Sequence, residues 1–175
     1  MSELILPDPS LVLLIGAAGS GKSTFASRRF APDEILSSDA LRAAISGDAA
    51  DQSVSKAAFA ALYAALDRRL RAGRLAVVDA TNVTREARRA LLVRAEAAGV
   101  PAVAIVLDLA PAIVLARNAA RHDRIVPEAV VRRHLDGIRR VVDDGTLEAE
   151  GFAGIHVLHD PAEVDALRIR RHPPT

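Results

Sequence analysis

Five short apolar runs recur along the chain, and between them lie longer stretches in which apolar positions return every three or four residues. The runs, rich in Leu, Val and Ile, fall at residues 11–15, 34–37, 75–79, 102–108 and 154–158. Two of them, LVLLI and AVAIVLDL, are apolar at consecutive positions and so on both faces of a strand. That suits a parallel sheet with helices on both sides, because crossover helices leave neither strand face to water. The intervening stretches predict helices at 22–30, 40–46, 55–72, 84–98, 111–120 and 127–143. Pro111 and Pro127 fit first helical turns, where no N–H donor is needed. Gly73 and Gly99 stand where helices are expected to stop. Strand and helix alternate throughout, so the expected class is α/β, with a five-stranded parallel sheet flanked on both faces. No repeat or low-complexity linker breaks the pattern. One domain over residues 1–169 is expected, with 170–175 as a loose tail.

Composition narrows the function classes. A chain of 175 residues can bury a core unaided, and its 50% apolar and 26% charged content is ordinary globular usage rather than disorder. Cysteine is absent, which removes disulfides, a thiolate nucleophile and a cysteine-based zinc site. The early apolar stretch at 11–18 is too short to span a bilayer. Glu3, Pro7, Asp8 and Pro9 precede it where a secretory signal would carry basic residues, so a cytoplasmic location without a membrane partner is expected. The net charge of +1 excludes a uniformly basic nucleic-acid coat. Arginines nevertheless crowd 68–94 and 117–140, acids gather at 143–150, and lysine occurs only at Lys22 and Lys56. An arginine- and alanine-favouring composition accounts for their abundance but not for their clustering.

The first apolar run leads directly into GAAGSGKS, the pattern GxxxxGKS, and then into a helical stretch. Glycines at Gly16, Gly19 and Gly21 let the backbone through Ala17, Ala18 and Ser20 curl so that successive N–H groups face one anion. The following helix, through Thr24, adds its positive end. Lys22 would then reach the β- and γ-phosphates, and the Ser23 hydroxyl would bind Mg²⁺. The spacing predicts a P-loop NTPase fold binding ATP with Mg²⁺; it names a nucleotide, not a reaction. Asp79 ends the run AVVD at the carboxyl edge of a strand, where open α/β sheets bind ligands, and is expected as a second Mg²⁺ ligand. Thr81 and Asn82 either orient a substrate or serve as turn and capping residues.

Other residues must choose the chemistry. No NKxD-type guanine-reading loop is present, and the chain is short for a motor with a full helical lid domain. In ILSSDALR, Asp39 follows the second strand at the sheet's carboxyl edge. Phosphoryl transfer to an alcohol needs a group that orients the hydroxyl and accepts its proton, a role Asp39 fits. Arg42, three residues on, could hold an anionic group of the acceptor. The same pair could equally be a helix cap with an i,i+3 salt bridge. Arg117, Arg121 and Arg124 fall at i, i+4 and i+7, so one helical face would present three guanidinium groups as a lid, with Asp123 orienting one of them. The competing reading is a solvated basic face. His156 and His159 have opposite parity on their strand and make no metal site, and His134 reads as surface or packing.

The segments GAAGSGKSTFA, ILSSDALR, DQSVSKAAF, VVDATNVTREAR and RNAARHDRIV followed by VVRRH resemble the kinase domain of bacterial polynucleotide kinase-phosphatase. That is a P-loop family phosphorylating 5′-hydroxyl ends of RNA or DNA. The matches keep the family's order and spacing and cover most of the chain. The P-loop pattern is widely shared; SSDxLR, DQSV, DATN and RNxxRxDRxV are far more specific. The resemblance implies Lys22 and Ser23 on phosphates and Mg²⁺, Asp39 as general base and Arg42 on the acceptor's phosphate. It implies Arg117 and Arg124, with Arg121, in a lid over the ATP, and the loop near His159 and Asp160 bordering the adenine. A phosphatase or ligase module is not expected within these 175 residues, which leaves the acceptor open. The leading expectation is an ATP-dependent 5′-hydroxyl polynucleotide kinase. The alternatives are a kinase of a small-molecule alcohol (sugar, nucleoside or antibiotic) and a nucleotide-binding module without acceptor chemistry.

Overall fold

The run LVLLI becomes β2 (Leu11–Ile15), buried at every position, as its two-faced apolar pattern demands. In the computed structural model, which describes residues 3–173, β2 lies between β4 (Ala76–Asp79) and β5 (Ala102–Leu107). The outer strands are β3 (Ile35–Ser37) and β6 (Gly154–Leu158), and the order β3-β4-β2-β5-β6 is parallel throughout. This is the five-stranded α/β sheet that the sequence pattern predicts. Alternate β2 residues feed two separate cores. Leu11, Leu13 and Ile15 meet α3 (Ser55–Arg71) through Leu62, Leu66 and Leu70, α4 (Arg85–Ala98) through Leu91, and α6 (Glu128–Asp143) through Val131, Leu135 and Ile138. Val12 and Leu14 meet Phe25 and Ala26 of α1 (Lys22–Arg29) on the other face. Each fully buried leucine contributes roughly 2 kcal/mol of transfer free energy. Among the described residues no helix is long and apolar enough to cross a membrane.

Three elements escape the sequence pattern. β1 (Glu3–Pro7) and β7 (Arg168–His172) form a two-stranded parallel sheet, and α7 (Pro161–Ala166) precedes β7. The loose tail expected at 170–175 is therefore corrected: through His172 it is strand, while 174 and 175 lie outside the described residues. Leu4 and Leu6 of β1 are buried with Leu167 against the α1 face. Arg171 is held by both Glu34 carboxylate oxygens, at 2.7 and 2.6 Å. RIRRH has one strongly apolar residue, so nothing local announces a strand; it forms because the opposite end of the chain supplies a partner.

The remaining differences are at element ends. α2 (Ser38–Ser46) begins two residues earlier than expected, with the Ser37 hydroxyl capping Ala40 N–H at 3.2 Å, so Asp39 lies in the first helical turn. α5 (Pro111–Ala119) ends before Arg121.

Candidate active site

The turn after β2 reverses direction through positive φ at Gly19 (88°) and Gly21 (95°), a region costly for side chains with a Cβ. Gly19 is also pressed against α5: a Cβ there would meet Val114 O at 2.5 Å and Asn118 N at 2.8 Å. Gly16 N–H donates to Thr81 O at 3.1 Å, tying the loop's start to the segment after β4. Lys22 folds back so that Nζ donates to Gly16 O at 2.9 Å and Ala17 O at 3.0 Å. Burial lowers its pKa to about 8, more than the nearby Asp79 and Asp39 carboxylates can offset. Ser20 Oγ is buried without a partner. A curled backbone, an ammonium satisfied only by its own loop and an orphaned hydroxyl fit a phosphate chain at this turn.

Ser23, the second residue of α1, donates through Oγ to Asp79 Oδ2 at 2.6 Å. Asp79 closes β4 beside Leu14 and is 6% exposed, so the paired oxygens face the end of the phosphate loop. Two hard oxygen donors side by side suit Mg²⁺, with water and phosphate oxygens completing its shell. Thr81 lines the cleft beyond them. Asn82, expected as a possible substrate contact, instead sits 3% exposed at φ 49° with Nδ2 donating to Leu14 O at 2.8 Å. It fastens the turn to β2, a use that its αL-tolerant amide serves well.

Across the cleft, the first turn of α2 presents Asp39. Arg124 Nη1 donates to Asp39 Oδ1 at 2.8 Å, Arg42 Nη2 bonds the same oxygen, and Arg121 Nη2 stands 3.9 Å from Oδ2. Arg42 is itself 4% exposed and anchored by Nε to Ala49 O at 3.0 Å. Asp39 and Arg42 therefore form the i,i+3 pair, and they form it inside the cleft.

The lid differs from the single helical face expected for its arginines. Arg117 is in α5, but Arg121 and Arg124 ride on the loop between α5 and α6. Asn118, which the sequence reading passed over, makes that loop. It is 4% exposed; Nδ2 donates to Val126 O at 2.7 Å, and Oδ1 accepts from Val126 N at 3.1 Å. This pair of bonds cinches residues 118–126 into a closed turn aimed at Asp39. Asp123 holds Arg121 through both carboxylate oxygens at 3.1 and 2.9 Å, and that pairing draws its own pKa down to about 2.

Arg117 joins Arg121 and Asp123 around a cavity of about 320 Å³ over Gly19, Gly21 and Lys22, and it also reaches a second cavity. It borders Gly21 and Thr24 and, with Phe25, Pro161 and Val164, lines a cavity of about 250 Å³ outside the phosphate turn. His159 and Asp160, expected to border the adenine, do not line this cavity. Asp160 caps α7 by accepting from Glu163 N at 2.9 Å, and His159 Nδ1 faces Asp108 at 3.4 Å. The cleft holding Asp39 is separate and larger, about 390 Å³, and runs from Lys22 and Ser23 past Thr81 to His134. His134, read from sequence as surface or packing, is in its wall. Its Nδ1 is buried and unpartnered, and burial together with Lys22, Arg133 and Arg124 lowers its pKa.

The arrangement can bind a nucleotide and bring an acid beside its terminal phosphate. Solved structures with this fold include a chain of the Pnkp1/Rnl/Hen1 RNA repair complex, at TM-score 0.68 and 19% identity. The alignment covers 79% of this chain and 47% of that one, so this chain spans about half its length. Kti12 of Chaetomium thermophilum in complex with ADP-AlF3 aligns at TM-score 0.59 and 19% identity, over 89% of this chain and 93% of that one. A gluconokinase of Sinorhizobium meliloti aligns at 0.52 and 19%, over 91% and 89%. These likenesses show a P-loop kinase-like fold. No curated protein matches the chain. The AAA domain family model matches residues 11–144, from the first strand of the main sheet to the end of α6, and the chain belongs to that family.

Proposed function

We propose that this chain is an ATP-dependent kinase of 5′-hydroxyl ends of RNA or DNA. The observation that carries the reading is the Asp39 carboxylate, facing the Lys22 and Ser23 end of the phosphate loop within reach of three arginines. The acceptor hydroxyl would hydrogen-bond Asp39 and attack the γ-phosphorus in line. The new O–P bond forms as the bond to the β,γ-bridging oxygen breaks, the proton passes to the Asp39 carboxylate, and ADP leaves. Lys22 would turn from Gly16 O and Ala17 O to the β- and γ-oxygens, while Arg121 and Arg124 exchange Asp39 for the migrating phosphoryl group. Mg²⁺ on Ser23 and Asp79 would neutralise charge on the phosphate chain. Arg42, fixed by Ala49 O, would engage the acceptor's first phosphate. Likeness to a chain of an RNA repair complex and the clustered arginines support a polynucleotide acceptor.

Gluconokinase and sugar-kinase neighbours, at TM-scores 0.52 and 0.56, support the second reading, a small-molecule alcohol acceptor. The test is labelled ATP offered with 5′-OH RNA, 5′-OH DNA, gluconate and free nucleosides. Labelled strands, with binding that weakens steeply as salt rises, are the expected result. Label on a small alcohol alone transfers the assignment to the second reading. Asp39→Ala should lower turnover about 10²- to 10⁴-fold while nucleotide affinity stays within a few-fold. A fully active variant would remove Asp39 from the reaction.

A further inference from the structure

Two lid arginines stand between two anionic positions. Arg124 Nη1 donates to Asp39 Oδ1 at 2.8 Å, and Arg121 Nη2 lies 3.9 Å from Oδ2, so together they cover both carboxylate oxygens. Arg121 also lines the cavity over Gly19, Gly21 and Lys22, which makes it a wall shared by the Asp39 cleft and the phosphate turn. Arg42, bonded to the same Oδ1, differs in kind. It is buried, anchored on Ala49 O and carried by the same helix as Asp39, so it is a fixed partner. The side chains of Arg121 and Arg124 are 26% and 22% exposed on a loop, and ion pairs open to water are weak enough to be exchanged.

The loop is built to move as one piece. Asn118 closes it with two bonds to Val126, and Asp123 holds Arg121 through Nε and Nη2. Its base rests on the phosphate turn, since a Cβ on Gly19 would meet Asn118 N at 2.8 Å. A triphosphate at that turn carries several negative charges where Asp39 carries one, so it outcompetes the carboxylate for both guanidinium groups. An acceptor hydroxyl needs what those groups occupy, a carboxylate oxygen with free acceptor capacity and room in front of it. We infer that the lid is a latch: Arg121 and Arg124 cover Asp39 until a nucleoside triphosphate draws them off, so that the acceptor is admitted after the nucleotide. The inference rests on the reading of Asp39 as proton acceptor, whatever alcohol is phosphorylated, and adds to it an order of binding.

Two measurements test the latch. Amide exchange at 120–126 is followed in the wild type, Asp39→Ala and Arg124→Gln, with and without the β,γ-imido analogue of ATP. Without the analogue both variants should exchange about threefold faster than the wild type, or more. With it, Asp39→Ala should match the wild type within about twofold, because the arginines then rest on phosphate in both proteins. Equal exchange in the wild type and both variants without the analogue overturns the latch, whichever acceptor is correct. The second measurement is binding of a 5′-OH oligonucleotide. In the wild type the analogue should tighten it about five- to tenfold, and ADP less than about twofold. Arg124→Gln removes a cation beside a polyanion, yet without nucleotide it should tighten binding about threefold, since it uncovers Asp39. Weaker binding by this variant makes Arg124 a phosphate contact alone and overturns the inference. A strand that binds under no condition sinks the polynucleotide reading, while the exchange result still decides the latch.

Discussion

Lys22 shows what a single residue costs a site before its ligand arrives. The residue is 8% exposed, its ammonium rests on two backbone carbonyls, and burial brings its pKa from 10.5 to about 8. Because the folded value lies below the unfolded one, the unfolded chain binds more protons between pH 8 and 10.5. Stability of the nucleotide-free protein should therefore rise with pH across that window, by about 3 kcal/mol in total from this group. Below pH 8 the cost is fully present. Lys22→Met should flatten this rise, measured as the difference between wild-type and variant urea-unfolding free energies at successive pH values; identical slopes would contradict it. A bound triphosphate would surround the ammonium with charge and restore its proton. Binding near pH 9 should then take up close to one proton, read by calorimetry in buffers of different ionisation enthalpy, and Lys22→Met should abolish the uptake.

At the scale of elements, the lid is a loop shaped by one side chain. Asn118 acts as a length of backbone, giving and accepting one bond with Val126 and closing residues 118–126 on themselves. Asn118→Ala would leave the buried N–H and C=O of Val126 unmatched, at about 1–3 kcal/mol each. The expected outcome is a loss of roughly 2–4 kcal/mol in urea unfolding, faster amide exchange at 120–126 and a fall in kcat/KM of about tenfold or more. Asn118→Asp keeps the bond to Val126 N–H and should fall between. The arginine spacing pointed to one helical face, whereas the structure puts two of the three arginines on a loop. Arg117, Arg121 and Arg124 have helical periodicity, but α5 stops at Ala119 because the Asn118 clamp takes the chain off its helical path.

At the scale of the molecule, the candidate site is tied across the sheet by a buried ion pair. Arg88, 1% exposed, bonds the Glu150 carboxylate through Nε and Nη2 at 2.7 and 2.6 Å. Its Nη1 donates to Asn82 O and Val83 O at 3.2 and 2.6 Å. One side chain thus joins the turn after β4, where Thr81 and Asn82 border the site, to the segment leading into β6. Arg88→Met alone, or Glu150→Leu alone, should cost about 3–5 kcal/mol, because each leaves a buried charge without its partner. The double variant should cost clearly less than the sum, and chemical denaturation of all four proteins measures the coupling. Additive losses would mean that the pair acts only through packing.

The local sequence determined the sheet, its covering helices and the phosphate turn, because each depends on near neighbours: two-faced apolar runs, helical periodicity and glycines at fixed spacing. For the same reason Lys22, Ser23, Asp39, Arg42 and Asp79 were legible as candidates. Tertiary structure decided what depends on partners far along the chain. It made a strand of RIRRH by bringing it to residues 3–7, turned Asn82 onto Leu14, and brought His134 to the same cleft as Asp39, 95 residues earlier. A side chain's surroundings are set by the whole fold, and no spacing rule along one strand or helix contains them.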